Sequence, residues 1–205
     1  MEATSTASRT QVPGIQAPLG RRWSPRAFAA RPVEPEKLRW LFEAARWAPS
    51  SYNAQPWAFL VATREDGEGY NRLLSTLVGV NRQWADKAPV LILAVARLDF
   101  EHVARANRHA LYDLGQSVAN LTVEATSQDL YIHQMAGFDA RAARELFAIP
   151  PGFEPVTVLA LGYLEGSSQA QAGRTRKPFA DFVYSGSWGH PAPLAVEGES
   201  DRLPE

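Results

Sequence analysis

Two arginines bracket a serine in Arg22-Trp23-Ser24-Pro25-Arg26-Ala27-Phe28. A phosphate group is best held by guanidinium forks together with a small hydroxyl donor, and this spacing can supply both. The competing reading is a solvated basic turn, with Ser24 and Pro25 as the N-cap and first-turn pair of a helix. A second set lies in Pro49-Ser50-Ser51-Tyr52-Asn53-Ala54-Gln55-Pro56-Trp57. Hydroxyl and amide groups are dense here, between a helix that stops at a proline and an apolar run. Loops held by rigid elements concentrate binding groups, although Ser50, Ser51 and Asn53 would also serve a plain helix-terminating turn. A third segment, His133-Gln134-Met135-Ala136-Gly137-Phe138-Asp139, carries a glycine that permits close backbone approach. A fourth, Arg174-Thr175-Arg176-Lys177, places three cations in four residues, which without context is a solvated surface run.

The elements that position these groups follow from periodicity. Residues 1–19 are rich in Ala, Thr, Ser, Pro and Gly and read as a loose arm. Pro35-Glu36 opens a helix whose apolar residues Leu38, Leu41, Phe42 and Ala45 recur at helical spacing until Pro49. Residues 57–63 predict a strand, and Tyr70 to Val78 a short helix. Residues 89–96 form a continuous apolar run, the pattern of a strand covered on both faces. His109 to Leu130, with Leu114, Val118 and Leu121, predicts a long central helix. Asp129 then stands at its end, where the left-handed conformation is tolerable for Asp at some cost. Ala140 to Phe147 predicts a helix and Val156 to Tyr163 another buried strand. Residues 20–178 read as one domain, of α+β (α/β three-layer) class, and 179–205 as an irregular extension.

Composition narrows the function classes. The 205 residues suit one full core, and the net charge of −1 favours neither nucleic acid nor an anionic membrane. Cysteine is absent, which removes disulfides, thiolate metal sites and cysteine nucleophiles. No apolar run approaches the roughly 20 residues that span a bilayer, and Met1 to Thr10 lacks the apolar centre of a signal peptide. A cytoplasmic location is the expectation. No Walker sequence, G-x-G-x-x-G or G-x-S-x-G occurs. His102, His109 and Asp113 lack a further ligand set, so no metal is expected.

The string Pro-Ser-Ser-x-Asn-x-Gln-Pro-Trp closely resembles the flavin-contacting loop of the FMN-dependent nitroreductase family. Arg-x-Ser-x-Arg-x-Phe, the Gly-Phe-Asp stretch and the Arg174/Arg176 pair resemble other family motifs in the same order. The resemblance implies a central, mainly antiparallel sheet flanked by helices, in an intertwined homodimer whose C-terminal extensions dock on the partner subunit. It implies bound FMN, with NADH or NADPH as donor and a nitroaromatic, quinone or similar small molecule as acceptor. Two hydride transfers through flavin N5 would do the chemistry, with no catalytic side chain.

By the same resemblance, Arg22, Trp23, Ser24, Arg26, Asn81, His133, Gln134, Met135, Gly137, Arg174 and Arg176 contact the cofactor. Pro49, Ser50, Ser51 and Asn53 reach it from the partner. Trp84 stands where some relatives have a lysine, which leaves Arg26 more of the charge near the pyrimidine. The short Arg97–Asn107 stretch implies an open pocket, with Phe100 and Tyr112 as lining candidates. The alternatives are a non-catalytic FMN carrier or sensor, and a related flavoenzyme performing desaturation or dehalogenation.

Overall fold

The computed structural model describes residues 14–102, 105–166 and 174–194. Two compact units divide the chain, Met1–Ala170 and Gln171–Glu205. In the first, the elements run α1 (Ala17–Arg21), α2 (Pro35–Arg46), β1 (Trp57–Thr63), α3 (Glu68–Ser75), β2 (Val90–Arg97), α4 (Ala110–Ser127), β3 (Tyr131–Met135), α5 (Ala140–Leu146) and β4 (Phe153–Gly162).

The four strands form one antiparallel sheet in the order β1-β2-β4-β3. Strand alternation divides the core into two layers. On one face Leu91, Leu93, Val95, Val158 and Met135 pack with Tyr70, Leu73 and Leu77 of the α3 region and with Trp84. On the other, Ile92, Ala94, Leu159, Leu161 and Ile132 pack with Leu41 and Ala45 of α2 and Leu114, Val118, Leu121 and Ala125 of α4. The expected three-layer α+β architecture is therefore present. A register shift at Ala94/Val95 faces Pro155, which has no N–H to give to the ladder.

Helix α4 ends as its sequence predicts. Asp129 takes φ 59°. The Leu130 N–H donates to the Ala125 carbonyl at 2.8 Å and the Asp129 N–H to that of Thr126 at 3.3 Å, a Schellman closure. Cations gather at this negative end of the helix dipole. Arg21 donates to the Thr126 carbonyl at 2.9 Å and pairs with Asp129 at 3.2 Å. Lys37 donates to the Gln128 carbonyl at 3.2 Å.

Three expectations are corrected. Ala17–Arg21 is a short helix with proline in its first turn, so the loose arm does not extend to residue 19; residues 1–13 lie outside the described residues. Tyr131–Met135 is a fourth strand that helical periodicity did not reveal. Ser24-Pro25 opens no helix. The chain there is held extended instead, because Ala29 N–H donates to the Tyr163 carbonyl at 2.9 Å and Phe28 bridges Leu164 beyond the end of β4.

In the second unit, residues 174–178 have no regular secondary structure and are exposed, and Phe179–Asp181 makes one tight helical turn. Tyr184 bridges Pro191, and its ring lies 5.0 Å from that of Trp188. Residues 167–173 and 195–205, which include most of the polar loop and the end of the extension, lie outside the described residues.

Replacing Asp129 by alanine removes both the tolerance for positive φ and the Arg21 partner. It is expected to cost about 1 kcal/mol in urea unfolding, and glycine at 129 less than half of that.

Candidate functional site

The first constellation is assembled on β3. His133 and Gln134, being consecutive strand residues, face opposite sides of the sheet. The His133 Nδ1 lies 2.9 Å from the Pro25 carbonyl. A carbonyl only accepts, so Nδ1 carries the proton and Nε2 of the neutral ring is an acceptor. This bond fastens the Arg22–Phe28 segment to the strand. Trp23 meets Tyr131 edge-on at 6.3 Å, and Phe28 stacks on Trp84 at 6.4 Å. The Trp84 ring in turn lies 4.5 Å from that of His133. Burial holds the His133 pKa below its ordinary value; the Pro25 and Ser24 carbonyls oppose that shift and the Arg26 charge adds to it. Arg26 therefore lies within electrostatic reach of the imidazole. Arg22 sits 3.5 Å from the Ser24 hydroxyl, so a guanidinium and a hydroxyl donor face the same space.

Asn81 and Gly137 form the adjoining part. The Asn81 amide donates to the Gly137 carbonyl at 3.2 Å, and so does the Val78 N–H at 3.2 Å. A Cβ on residue 137 would stand 2.7 Å from Asn81 Nδ2. A side chain at 137 would push the Asn81 amide out of its place against the Gly137 carbonyl, so glycine lets that amide lie on the backbone. Trp84 is buried, and its Nε1 has no hydrogen-bond partner among the described residues. Met135 is 2% exposed and its side chain belongs to the core. Gln134 reaches the other way, 3.5 Å from the Thr122 hydroxyl of α4.

The second constellation is built on the opposite end of α4. The last carbonyls of α2 have no partners within their own helix. Ser117 donates to Ala45 at 3.1 Å, Asn120 to Ala44 at 3.2 Å, and Gln116 reaches the Pro49 carbonyl at 3.5 Å. Asp113, 2% exposed, accepts from the Ser51 N–H at 3.0 Å. The loop itself is closed by the Gln55 N–H donating to the Ser50 hydroxyl at 3.0 Å. These bonds hold three non-glycine residues at positive φ, Tyr52 (54°), Asn53 (52°) and Gln55 (46°). Such backbone persists only when its surroundings over-determine it, and it collects at ligand sites. An open groove here is lined by Pro49, Ser50, Ser51, His109, Tyr112 and Asp113.

The two constellations do not meet within one chain. The loop touches α4 at Asp113 and Gln116, whereas Arg21, next to Arg22, touches it at Thr126. That separation is roughly 15–20 Å along the helix at 1.5 Å per residue. Arg174 and Arg176 belong to the other compact unit, where both are exposed.

Sequence reasoning sets Asp113 aside as a metal ligand and does not connect it with the loop. Its signal was present in the polar set Asp113, Gln116, Ser117 and Asn120, spaced i, i+3, i+4, i+7 on an otherwise apolar helix.

Two outcomes test this construction. Asp113→Ala should lower stability by about 1–3 kcal/mol, because it takes the charged acceptor from the part-buried Ser51 N–H, and Asp113→Asn should recover part of the loss; urea unfolding reads both. The unfolded chain protonates His133 near its ordinary pKa of about 6.5, whereas the folded protein resists. Stability should therefore fall as pH drops below about 6.5 and level off below the lowered folded pKa. His133→Gln should flatten that dependence in unfolding curves taken from pH 5 to 7.5.

Comparison with known proteins fits this arrangement. An uncharacterized 15.4 kDa protein of Mycolicibacterium smegmatis is 35% identical over 128 residues, 57% of this chain and 85% of its own length. A putative NADH dehydrogenase/NAD(P)H nitroreductase of Streptomyces coelicolor is 40% identical over 78 residues, 38% of each chain. The crystal structure of an oxidoreductase containing FMN superposes with a TM-score of 0.79 at 28% identity, covering 91% of this chain and 98% of that one. The Nitroreductase family model matches residues 19–163, which takes in both constellations but not Arg174 and Arg176. On that match, the chain belongs to the nitroreductase family.

Proposed function

We propose that the chain binds FMN and carries electrons from NADH or NADPH to a nitroaromatic, a quinone or a similar small acceptor. As a member of the nitroreductase family it is an oxidoreductase. The observation that carries the cofactor assignment is the donor set gathered along β3. Arg22, Ser24 and Arg26 are fastened to His133 through Pro25, beside the Asn81–Gly137 cradle. Two guanidiniums and a hydroxyl suit a phosphate ester with its polyol chain, and a side-chain amide beside bare backbone suits the polar edge of a flat heterocycle.

When bound, FMN supplies the hydride chemistry, and the protein binds, orients and tunes it. Arg26 favours the electron-rich reduced ring by its positive charge. With Trp84 where a lysine could have stood, that charge comes mainly from Arg26. No side-chain acid or base is required of the chain.

The working unit in this proposal is a homodimer. The Pro49–Asn53 loop is rigidly built, yet it stands roughly 20 Å along α4 from the contact that anchors Arg22's neighbour. A second copy can bring its own loop to the first copy's β3, and residues 179–205 would dock on the partner.

Purified protein is expected to be yellow, to bleach on anaerobic addition of NADH or NADPH, and to regain colour with a nitroaromatic or quinone. Colourless protein that takes up no added FMN would overturn the proposal, and yellow protein that neither nucleotide bleaches would point to a carrier. Arg26→Ala should weaken FMN binding about tenfold, the loss of one charge-assisted hydrogen bond, and should lower the flavin potential. Equilibrium dialysis and spectroelectrochemistry measure the two effects.

A further inference from the structure

Beside the strained loop stands a group of side chains that the cofactor does not account for. Tyr52 lies between Ser51 and Asn53, is 84% exposed and has φ 54°. An apolar ring held out into water on a disfavoured backbone has a cost on both counts. Its ring meets Phe100 edge-on, with centroids 5.8 Å apart and planes at 89°. The Arg105 guanidinium lies over both rings, 5.0 Å from the Phe100 centroid and 5.8 Å from that of Tyr52.

Phe100 and Arg105 are brought together by the backbone. The Phe100 N–H donates to the Arg105 carbonyl at 3.0 Å, and Asp99 bridges Ala106 next to it. The segment after β2 therefore turns back on itself and presents both residues to Tyr52. Among the described residues Arg105 makes no side-chain hydrogen bond or ion pair. The nearby Glu101 is taken by Arg97 at 3.2 Å. The rings hold the guanidinium in place while its N–H fork stays uncommitted, the arrangement in which arginine recognises an anion with directional bonds.

We infer that Tyr52, Phe100 and Arg105 form a subsite for a planar ring carrying an anionic substituent, so that the enzyme selects charged aromatic ligands over neutral ones. The inference rests on the proposed reading of the Pro49–Asn53 loop as part of the flavin site. The ring stacks against the Phe100–Tyr52 pair and the anion takes the Arg105 fork. Two sources share this chemistry: a carboxylate-bearing aromatic acceptor, and the adenine and ribose 2′-phosphate of NADPH.

The test is calorimetric binding to the full chain as purified, with ligands that do not turn over. Benzoate is compared with benzyl alcohol, and 2′-AMP with adenosine, for the wild-type protein, Arg105→Gln and Phe100→Leu. The expected result is a roughly fivefold preference for at least one anion over its neutral counterpart, the scale of an exposed charge contact. That preference should disappear in Arg105→Gln while binding of the neutral ligand is unchanged. Phe100→Leu should weaken the charged and neutral members of that pair together, about threefold. A preference confined to benzoate assigns the subsite to the acceptor; one confined to 2′-AMP assigns it to the dinucleotide.

Charged and neutral ligands binding alike in the wild-type protein, or an anion preference that survives in Arg105→Gln, would overturn the inference. FMN content and bleaching by NADH and NADPH are recorded on the same preparations. Loss of the flavin reading therefore shows as colourless protein, independently of the binding ratios.

Discussion

Helix α4 governs the molecule through the polar groups it spends on its neighbours. Asp113 accepts from the Ser51 N–H and Gln116 reaches the Pro49 carbonyl, while Ser117 and Asn120 add second bonds to the Ala45 and Ala44 carbonyls, which the turn after α2 also engages. Each such hydrogen bond contributes about 0.5–1.5 kcal/mol net, and the charged Asp113 acceptor more. The bonds fix where α2 ends and how the Pro49–Gln55 chain turns. The apolar residues between them, Leu114, Val118 and Leu121, seal the same helix against the sheet. One element thus packs the core and sets the loop, and the two tasks cannot be altered independently.

At its other end α4 works by charge. Its Schellman closure leaves carbonyls facing Arg21 and Lys37, and Arg21 leads directly into the Arg22–Phe28 segment. That segment is extended because β3 and the end of β4 claim its backbone, through His133 and Tyr163. Trp84 fills the space between Phe28 and His133, stacked on the first and tilted against the second.

Much of this was legible in the sequence. Helices α2 and α4 and strands β1, β2 and β4 announce themselves by period or by continuous apolar runs, and the polar loop by its density of hydroxyl and amide groups. Strand β3 was hidden because Tyr131–Met135 is short and lies at the sheet edge, with a histidine and a glutamine at its centre. The Ser24-Pro25 pair suggested a helix start by a local rule, and long-range pairing with residues 163 and 164 overrode it. Contacts such as Asp113 with Ser51, 62 residues apart, have no local signature beyond polar periodicity. The grouping of Arg105 with Tyr52 and Phe100 has none at all.

The two anchor points on α4 also make its length a fixed quantity. A single inserted residue between Gln116 and Thr126 would turn one end about 100° relative to the other and shift it by about 1.5 Å. The loop contacts and the Arg21 contacts would then point to different sides of the molecule. Substitutions along this helix can be absorbed one side chain at a time, but a change of register cannot. Insertions and deletions among members of the lineage should accordingly fall in the connections around α4 and spare the helix itself.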